Sequence, residues 1–413
     1  MRNWLSFLGK IKTAYAGVFI CQMVLVISLF ACSTAPSGPS STKADTEKPS
    51  IESTQQNYVE EEVETKPSAG EQDIPENADQ ITNDATQQNN VNEEVETRLS
   101  AGDLITPENA DQITLLDRID NGNPAISVAF SPNGRILATG GEGIVMLWDT
   151  DSGKSLRTLE VPSKYSHSLV FSPDGRMLAA GGRQGNAIQL WDSNSWEEVR
   201  TLGMPTNAVN DLAFSPDGSL LAATGCSTLS SGNTYWSGKD ETVNLWEVET
   251  WQLLHSFDPE IESVSSLAFS PDGQILAVGG YDGIGLWDTV SWERLHTLEA
   301  HTNNLIFSPD GQTLASGGMQ NVILWESESG SQLRMLEGYD DAVMSLAFSP
   351  DGRLVVATGW KGVVLWEQES GINLNTFNDP YDCSYVPNVA FSPDGRLLVT
   401  IDSYMTLALR GIP

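Results

Sequence analysis

The sequence predicts an all-β fold, a seven-bladed β-propeller, and two recurring phrases are the main reason. Seven copies of Phe-Ser-Pro-(Asp/Asn)-Gly begin at Phe130, Phe171, Phe214, Phe269, Phe307, Phe348 and Phe391. Six copies of Leu-Trp-(Asp/Glu) contain Trp148, Trp191, Trp246, Trp287, Trp325 and Trp366. Successive tryptophans are 38 to 55 residues apart, and a period of about 40–45 residues with four short strands per unit is typical of a propeller blade.

Each unit is predicted to form a four-stranded antiparallel sheet, as the copy at 265–298 illustrates. Its four predicted strands are 266–269, 274–278, 283–288 and 294–298. The turn after the first strand is Ser-Pro-Asp-Gly, in which Pro271 presets φ and Gly273 takes the left-handed position that closes a hairpin. One such sheet cannot bury both of its faces alone, so it has to stack on its neighbours. The recurring tryptophan is therefore interpreted as a packing residue between blades.

The seventh unit is incomplete, and the chain before the first unit supplies the missing strand. After Phe391 the sequence offers a second strand at 397–400 and a third at 405–410, but no tryptophan and no fourth strand. Leu115–Ile119 matches fourth strands such as Ser155–Leu159. We therefore expect the N-terminal strand to pair with the last blade and to close the ring without an exposed sheet edge.

The two phrases together resemble the repeats of the WD-repeat family, over residues 115–413. The resemblance implies a propeller in which the second-to-third-strand loops and the links between blades line one rim of the channel. One feature of the family is missing from this sequence, and a second is only partly present. The Gly-His pair before the first strand is missing, with Ala300-His301 nearest to it, and the Asp between the second and third strands remains only at Asp282 and Asp240. Related Ser-Pro-Asp-Gly turns also occur in periplasmic propellers of the translocation type and in some propeller enzymes, so the subfamily stays open.

The first 32 residues are predicted to be an export signal of the bacterial lipoprotein type. Arg2, Lys10 and Lys12 precede an apolar stretch from Val18 to Phe30, which is short for a membrane span. The end, Leu-Phe-Ala-Cys32, resembles the lipoprotein cleavage box, and the resemblance implies that Cys32 carries lipid such as palmitate. The alternative is an uncleaved anchor or an ordinary secretion signal with an incidental cysteine.

Residues 33–105 are predicted to be an acidic, disordered tether, and residues 106–413 the propeller. The stretch 33–113 has 18 acidic and 4 basic side chains, a composition that disfavours a packed core. It contains an internal duplication, since Thr54–Thr82 and Thr86–Thr114 are identical at 21 of 29 positions. A tandem duplication that lengthened the tether explains the repeat more simply than two structured modules. Thr106 before Pro107 predicts a short helix beside the last blade, with Thr106 as its N-cap.

Charge and chemistry-bearing residues narrow the possible functions. The net charge is −33, and residues 114–413 carry 37 acidic and 15 basic side chains. Such a surface disfavours nucleic acid and anionic lipid and suits basic protein partners, unless it serves solubility alone. The four histidines are scattered, and no phosphate-binding loop or nucleophile elbow is present. The sequence therefore predicts no catalytic residue, no metal site and no cofactor; whether Cys226 pairs with Cys383 stays open.

The candidate partner-binding residues are aromatic side chains and one histidine on the loops of one rim. The longest loop is an insertion in the third unit, 226–240. The predicted binding residues are Tyr165, Tyr235, Trp236, Tyr281, His301, Trp360 and Tyr381, with His167, Tyr339, Lys361 and Tyr385 on the same rim. On the opposite rim Trp196, Trp251 and Trp292 recur at one turn position, which favours structural capping.

These observations predict a non-enzymatic, lipid-anchored scaffold in the cell envelope, outside the cytoplasm. Its monomeric propeller would bind a protein or peptide partner through one rim. Two alternatives remain at this stage. One is a propeller hydrolase or lyase with a site at the channel mouth, and the other is an accessory lipoprotein of an envelope assembly complex.

Overall fold

The computed structural model describes residues 102–413 except 121, 184–186, 205–207, 226–241, 340, 361, 378–385 and 403–404. This part of the chain contains 27 strands and a single turn of 3-10 helix. The strands are β1 Thr114–Ile119, β2 Ser127–Phe130, β3 Ile136–Gly140, β4 Glu142–Asp149, β5 Ser155–Phe171, β6 Met177–Arg183, β7 Ala187–Asp192, β8 Glu198–Gly203, β9 Asp211–Phe214, β10 Leu220–Gly225, β11 Thr242–Glu247, β12 Leu253–Phe257, β13 Ser266–Phe269, β14 Ile275–Gly279, β15 Ile284–Asp288, β16 Arg294–Leu298, β17 Asn304–Phe307, β18 Thr313–Gly317, β19 Val322–Glu326, β20 Gln332–Leu336, β21 Val343–Phe348, β22 Leu354–Gly359, β23 Gly362–Glu367, β24 Asn373–Phe377, β25 Val389–Phe391, β26 Leu397–Ile401 and β27 Leu407–Gly411. The all-β prediction is confirmed. No helix in the ranges given above is long and apolar enough to cross a membrane.

The strands form five four-stranded antiparallel sheets and one seven-stranded sheet, β2 to β8. The larger sheet arises because β5 runs 17 residues without a break, from the fourth-strand position of one unit to the first-strand position of the next. In its middle Tyr165 pairs with Glu142 on β4 and with Arg183 on β6. The sequence predicted two separate strands here, and the link between them is also extended.

The Ser-Pro-Asp-Gly turn has the predicted geometry. Gly273 has φ +72°, and its N–H donates to the carbonyl oxygen of Ser270 over 2.8 Å. The Ser270 hydroxyl donates to Asp272 over 2.6 Å and accepts the N–H of Ile275 over 2.9 Å. Because that hydroxyl and a backbone N–H both donate to it, the pKa of Asp272 is lowered. The serine and the acid together fix where the second strand begins.

Each of the six recurring tryptophans is buried in a hydrophobic cluster; five of these clusters lie between two sheets, and that of Trp191 lies between the two halves of the seven-stranded sheet. Trp287, on the sheet of β13 to β16, packs with Leu245 and Leu267 in the cluster shared with the preceding sheet. Trp148 lies in a cluster that joins β2–β4 to β26 and β27, so the first and last sheets along the chain are in contact. The predicted packing role is confirmed.

In the last sheet, of order β1-β27-β26-β25, a buried arginine takes the tryptophan position. Arg410 faces Leu398 across the strands as Trp148 faces Leu137. Its guanidinium donates to the hydroxyl of Thr400 and lies 5.7 Å from the Phe377 ring centre. The Nε1 of Trp148 likewise donates to Thr139. The missing tryptophan is visible in the sequence, but its replacement by Arg410 was not predicted.

The segment before β1 crosses the boundary between the last two sheets. Ile105, Ala110 and Ile113 are buried in the cluster that these sheets share. The predicted helix is shorter and starts later, because only Ala110–Gln112 is helical, with Asn109 and not Thr106 before it. The Asn109 side chain accepts the N–H of Thr106 over 2.8 Å and donates to the carbonyl oxygen of Leu104 over 2.9 Å. These bonds keep the chain in turns up to Ala110.

Candidate functional site

The two ends of the sheets differ in what they carry. One end, here the turn end, has the Ser-Pro-Asp-Gly turns and the turns between third and fourth strands. The other, the linker end, has the second-to-third-strand turns and the links between units. Four predicted binding residues lie at the linker end: Tyr165 within β5, Tyr281 after β14, His301 after β16 and Trp360 after β22. Tyr235, Trp236, Tyr381, Lys361, Tyr385, Cys226, Cys383 and Cys32 lie outside the described residues.

Among the described residues, Tyr281 and His301 form the most accessible aromatic pair at the linker end. The Tyr281 side chain is 48% exposed, and its ring centre lies 5.5 Å from that of His301 at an interplanar angle of 89°. The Nδ1 of His301 is buried and has no hydrogen-bond partner. Burial lowers the pKa of this imidazole and so favours its neutral form. The pair is an aromatic surface that is partly open to solvent.

The link from β12 to β13 holds Tyr281 in place. The Tyr281 N–H donates to the carbonyl oxygen of Glu262 over 2.7 Å, and the Glu262 N–H donates to the carboxylate of Asp282 over 2.8 Å. Two residues of this link, Glu260 and Ser263, have φ of +54° and +53°. A non-glycine residue in that region costs about 1–3 kcal/mol and persists where its surroundings fix it, commonly at functional sites.

The link from β12 to β13 and the residue after Tyr281 carry acidic side chains. The side chains of Glu260, Glu262 and Asp282 are all exposed. From the sequence, Asp282 is recognisable only as a remnant of the family motif, and neither glutamate was predicted. The signal for them was the acidic, proline-containing stretch Asp-Pro-Glu-Ile-Glu at 258–262, which departs from the repeat. Tyr281, His301, Glu262 and Asp282 are called the Tyr281 patch below.

Tyr165 and Trp360 are less accessible than Tyr281. Both are partly buried and, with Met344, pack against the cluster between the first and last sheets. The Lys164 ammonium lies 5.1 Å from the Tyr165 ring centre, and the His167 ring lies 6.1 Å from it. These residues form a second group at the linker end. Part of the surface of Tyr165 and of Trp360 is already buried against the hydrophobic cluster.

Tyr339 is not a rim residue, so this part of the prediction is wrong. Its side chain is 2% exposed and lies between the β17–β20 and β21–β24 sheets. Its ring centre is 6.2 Å from that of Trp366, and its hydroxyl contacts the carbonyl oxygen of Gly362 over 3.4 Å. The chain turns inward directly after β20, so the ring covers Trp366 instead of pointing to solvent.

The tryptophans at the turn end pack against the preceding unit, which for Trp251 and Trp292 is the preceding sheet and for Trp196 is the first half of the seven-stranded sheet. Trp196, Trp251 and Trp292 have φ of +57° to +58°, in turns where other units have a glycine in the same conformation. Trp292 stacks on His255 with ring centres 5.0 Å apart and planes 22° apart. This contact fits the predicted capping role and explains why a bulky residue tolerates a conformation that favours glycine.

One buried carboxylate joins three sheets. Asp211, at the start of β9, accepts hydrogen bonds from the hydroxyls of Ser168 and Ser266 and from the backbone N–H groups of Leu212 and Leu267. Burial raises its pKa despite these four donors. The arrangement is structural, because every donor belongs to a first strand. Within the ranges given above, no group of three or more His, Cys, Asp or Glu residues could hold a metal ion.

Comparison with known protein families identifies the family of this chain. The WD40 family model, described as WD domain, G-beta repeat, matches residues 118–149, 153–192, 196–247, 251–285, 292–325 and 330–367. These stretches cover more than half of the chain. The chain belongs to the WD40 repeat family. WD40 repeats generally act as scaffolds for protein–protein interaction, and the predicted β-propeller fits this family. No curated protein sequence matches the chain.

Proposed function

We propose that this WD40 protein is a membrane-anchored scaffold outside the cytoplasm that binds a protein or peptide partner through the Tyr281 patch. The exposed, positionally fixed Tyr281 carries the proposal. Tyrosine offers a large contact area at a small cost in side-chain entropy, and such residues dominate binding energy at interfaces. Because the backbone at Tyr281 and Asp282 is fixed by hydrogen bonds to Glu262, this part of the loop needs little ordering when a partner binds.

The acidic surroundings of Tyr281 favour a partner segment that contains lysine or arginine. A cation over a tyrosine ring gains about 0.5–2 kcal/mol. Asp282 follows Tyr281 directly in the chain, the backbone of Glu262 is hydrogen-bonded to both residues, and both acidic side chains are exposed. The net charge of −33 speeds the approach of a basic partner and slows that of a polyanion. Partner binding should therefore weaken as salt is added.

The scaffold itself is proposed to be a closed ring of seven blades. Two blades that share β5 make up the seven-stranded sheet, and five four-stranded sheets supply the others. Two observations support closure. The cluster around Trp148 joins the first and last sheets, and β1 pairs with β27 from Thr114 to Ile119. The N-terminal strand would thus cover the last sheet edge.

The proposed anchor is lipid on Cys32, and Gly102 begins the described part of the chain after it. Arg396 donates to the carbonyl oxygen of Gly102, and Ile105 donates to that of Gly395, so the chain enters the domain at the turn end. Residue 102 and the Tyr281 patch therefore lie at opposite ends of the sheets.

Capture from native membranes tests the patch. The double variant Tyr281→Ala, Glu262→Gln in the full-length chain should lose partner capture after crosslinking, while Val290→Ala should retain it. Val290 is a matched control because it is an exposed apolar residue, 88% accessible, at the turn end of the same sheet. Equal capture by both variants would remove the patch from the account. For the anchor, Cys32→Ala should abolish lipid incorporation and release the protein from the membrane fraction.

A further inference from the structure

Residues 102–113 pack on a surface of the last two sheets. The sequence that this surface binds occurs twice in the chain. This surface, called the docking surface, is formed by Arg353, Asn375, Phe391 and Gly395 of the last two sheets. It contacts the segment through buried apolar side chains and through polar groups. The segment does not belong to any repeat unit, so its contacts are distinct from those between the repeat units.

Four contacts define what the docking surface recognises. The Arg353 guanidinium pairs with the Glu108 carboxylate, and this pairing lowers the pKa of Glu108 to about 2. The Asn375 side chain donates to the carbonyl oxygen of Ala110 over 2.8 Å. Ala110 and Ile113 are buried with Phe391 in one cluster. The surface thus contacts a glutamate, a small residue two positions later and an isoleucine three positions after that.

The first copy of the duplication carries all of these residues in the same order. Residues 75–82 and 107–114 both spell Pro-Glu-Asn-Ala-Asp-Gln-Ile-Thr. Glu76, Ala78 and Ile81 therefore correspond to Glu108, Ala110 and Ile113. Asn77 corresponds to Asn109, whose side chain bonds only to backbone groups of Leu104 and Thr106, so changes at those two positions leave its bonds possible.

The two copies differ at the position of Ile105, which is the most deeply buried described residue of the second copy outside residues 107–114. Ile105 is 1% exposed, and Asp73 stands at the matching position in the first copy. Leu104 is likewise replaced, by Gln72. The second copy is also continuous with β1, which pairs with β27. Both differences favour the second copy, in agreement with its position on the docking surface.

We propose that residues 75–82 are a spare ligand for the docking surface of the same molecule and take it when residues 107–114 are displaced. The spacing permits this exchange. Residues 83–113 would form the connecting loop, and a chain of that length spans roughly 30 Å if it behaves as a flexible coil. Tethering at this length gives the spare segment an effective concentration in the millimolar range. The last two sheets would then remain joined through either copy.

Matched substitutions in the full-length chain test the proposal by thermal unfolding. Ala110→Asp places a carboxylate in the buried cluster and displaces the second copy, and Ala78→Asp is the same change in the first. Ala78→Asp alone should leave the midpoint unchanged, and Ala110→Asp should lower it. The double variant should melt at least roughly 2–4 °C below Ala110→Asp, a shift that corresponds to about 1 kcal/mol. A double variant that melts with Ala110→Asp would overturn the proposal.

A milder pair guards against a variant that fails to fold. Glu108→Lys opposes Arg353 without adding charge to the core, and Glu76→Lys is its match. Hydrogen exchange at 107–113 and around Phe391 reports which copy is docked. In Glu108→Lys we expect faster exchange at 107–113 and retained protection near Phe391, and adding Glu76→Lys should remove that protection. Protection that survives the second change, or a midpoint that rises with protein concentration because a second molecule supplies the segment, would contradict docking within one molecule.

Discussion

The turn end and the linker end are built from the same sheets, yet they use their polar groups differently. At the turn end the carboxylates are occupied, since Asp272 accepts from Ser270 and Asp288 accepts from Ser291, and both pKa values are lowered. At the linker end Glu262 uses its backbone in hydrogen bonds to Tyr281 and Asp282. Its exposed carboxylate is available to a partner. The repeat therefore fixes one end, and departures from the repeat create a surface at the other.

The largest effect should come from the core that both ends share. Trp287→Ala removes a ring that is 3% exposed, and truncating a buried tryptophan costs about 3–5 kcal/mol. Tyr281→Ala, at the linker end of the same sheet, should change stability by no more than about 0.5 kcal/mol. Chemical denaturation of both variants checks the difference. Comparable losses would mean that Tyr281 is part of the core and not a binding residue.

An intermediate effect is expected for the carboxylate that joins three sheets. Asp211→Ala leaves the donors of Ser168, Ser266 and Leu267 without their acceptor, and each unsatisfied buried group costs about 1–3 kcal/mol. Asp211→Asn keeps an acceptor oxygen and should be less damaging, because burial already favours the neutral acid. Denaturation midpoints of the two variants measure the order. If Asp211→Asn is the worse variant, the site requires the charge.

The smallest predicted effect separates the two ends by pH. The pKa of His301 is lowered by burial, so the folded state binds fewer protons and stability is lost as pH falls below about 6.5. His301→Phe should remove that loss. The pKa of Asp272 is also lowered, and its contribution is present above about pH 3.9 and lost as pH falls further. Asp272→Asn should flatten only this lower window.

A titration of unfolding midpoints from pH 7 to pH 3 records both windows. The linker-end variant should differ from the parent protein at the upper end of this range, and the turn-end variant at the lower end. A single shared window for both variants would contradict the assignment of separate protonation behaviour to the two ends.

The features that follow the repeat could be predicted from the sequence, and those that depart from it could not. The four strands at 265–298 lie within a residue of their predicted positions, because Pro271 and Gly273 fix the turn locally. The packing of the tryptophans also follows from the repeat. The interior position of Tyr339 and the role of Arg410 could not be predicted, because each depends on a neighbour from another strand or sheet.

The Tyr281 patch shows why the candidate site was only partly predictable. Tyr281 and His301 were recognisable as aromatic and polar residues on loops. The fixing of Tyr281 depends on Glu262 and Asp282, which are 20 residues apart and joined by one hydrogen bond. No local pattern encodes such a bond. The internal duplication was visible in the sequence, but what the second copy binds became clear only from the contacts of Glu108 and Ala110.

The central claim is that the partner contacts the linker end at Tyr281. A photo-crosslinking amino acid placed at position 281 of the full-length protein, in native membranes, tests it most directly. Position 290, on the same sheet at the turn end, is the matched control site. We expect a crosslinked protein or peptide at position 281 that is absent at position 290 and weakens as salt is raised. Crosslinks at position 290 with none at position 281 would contradict it.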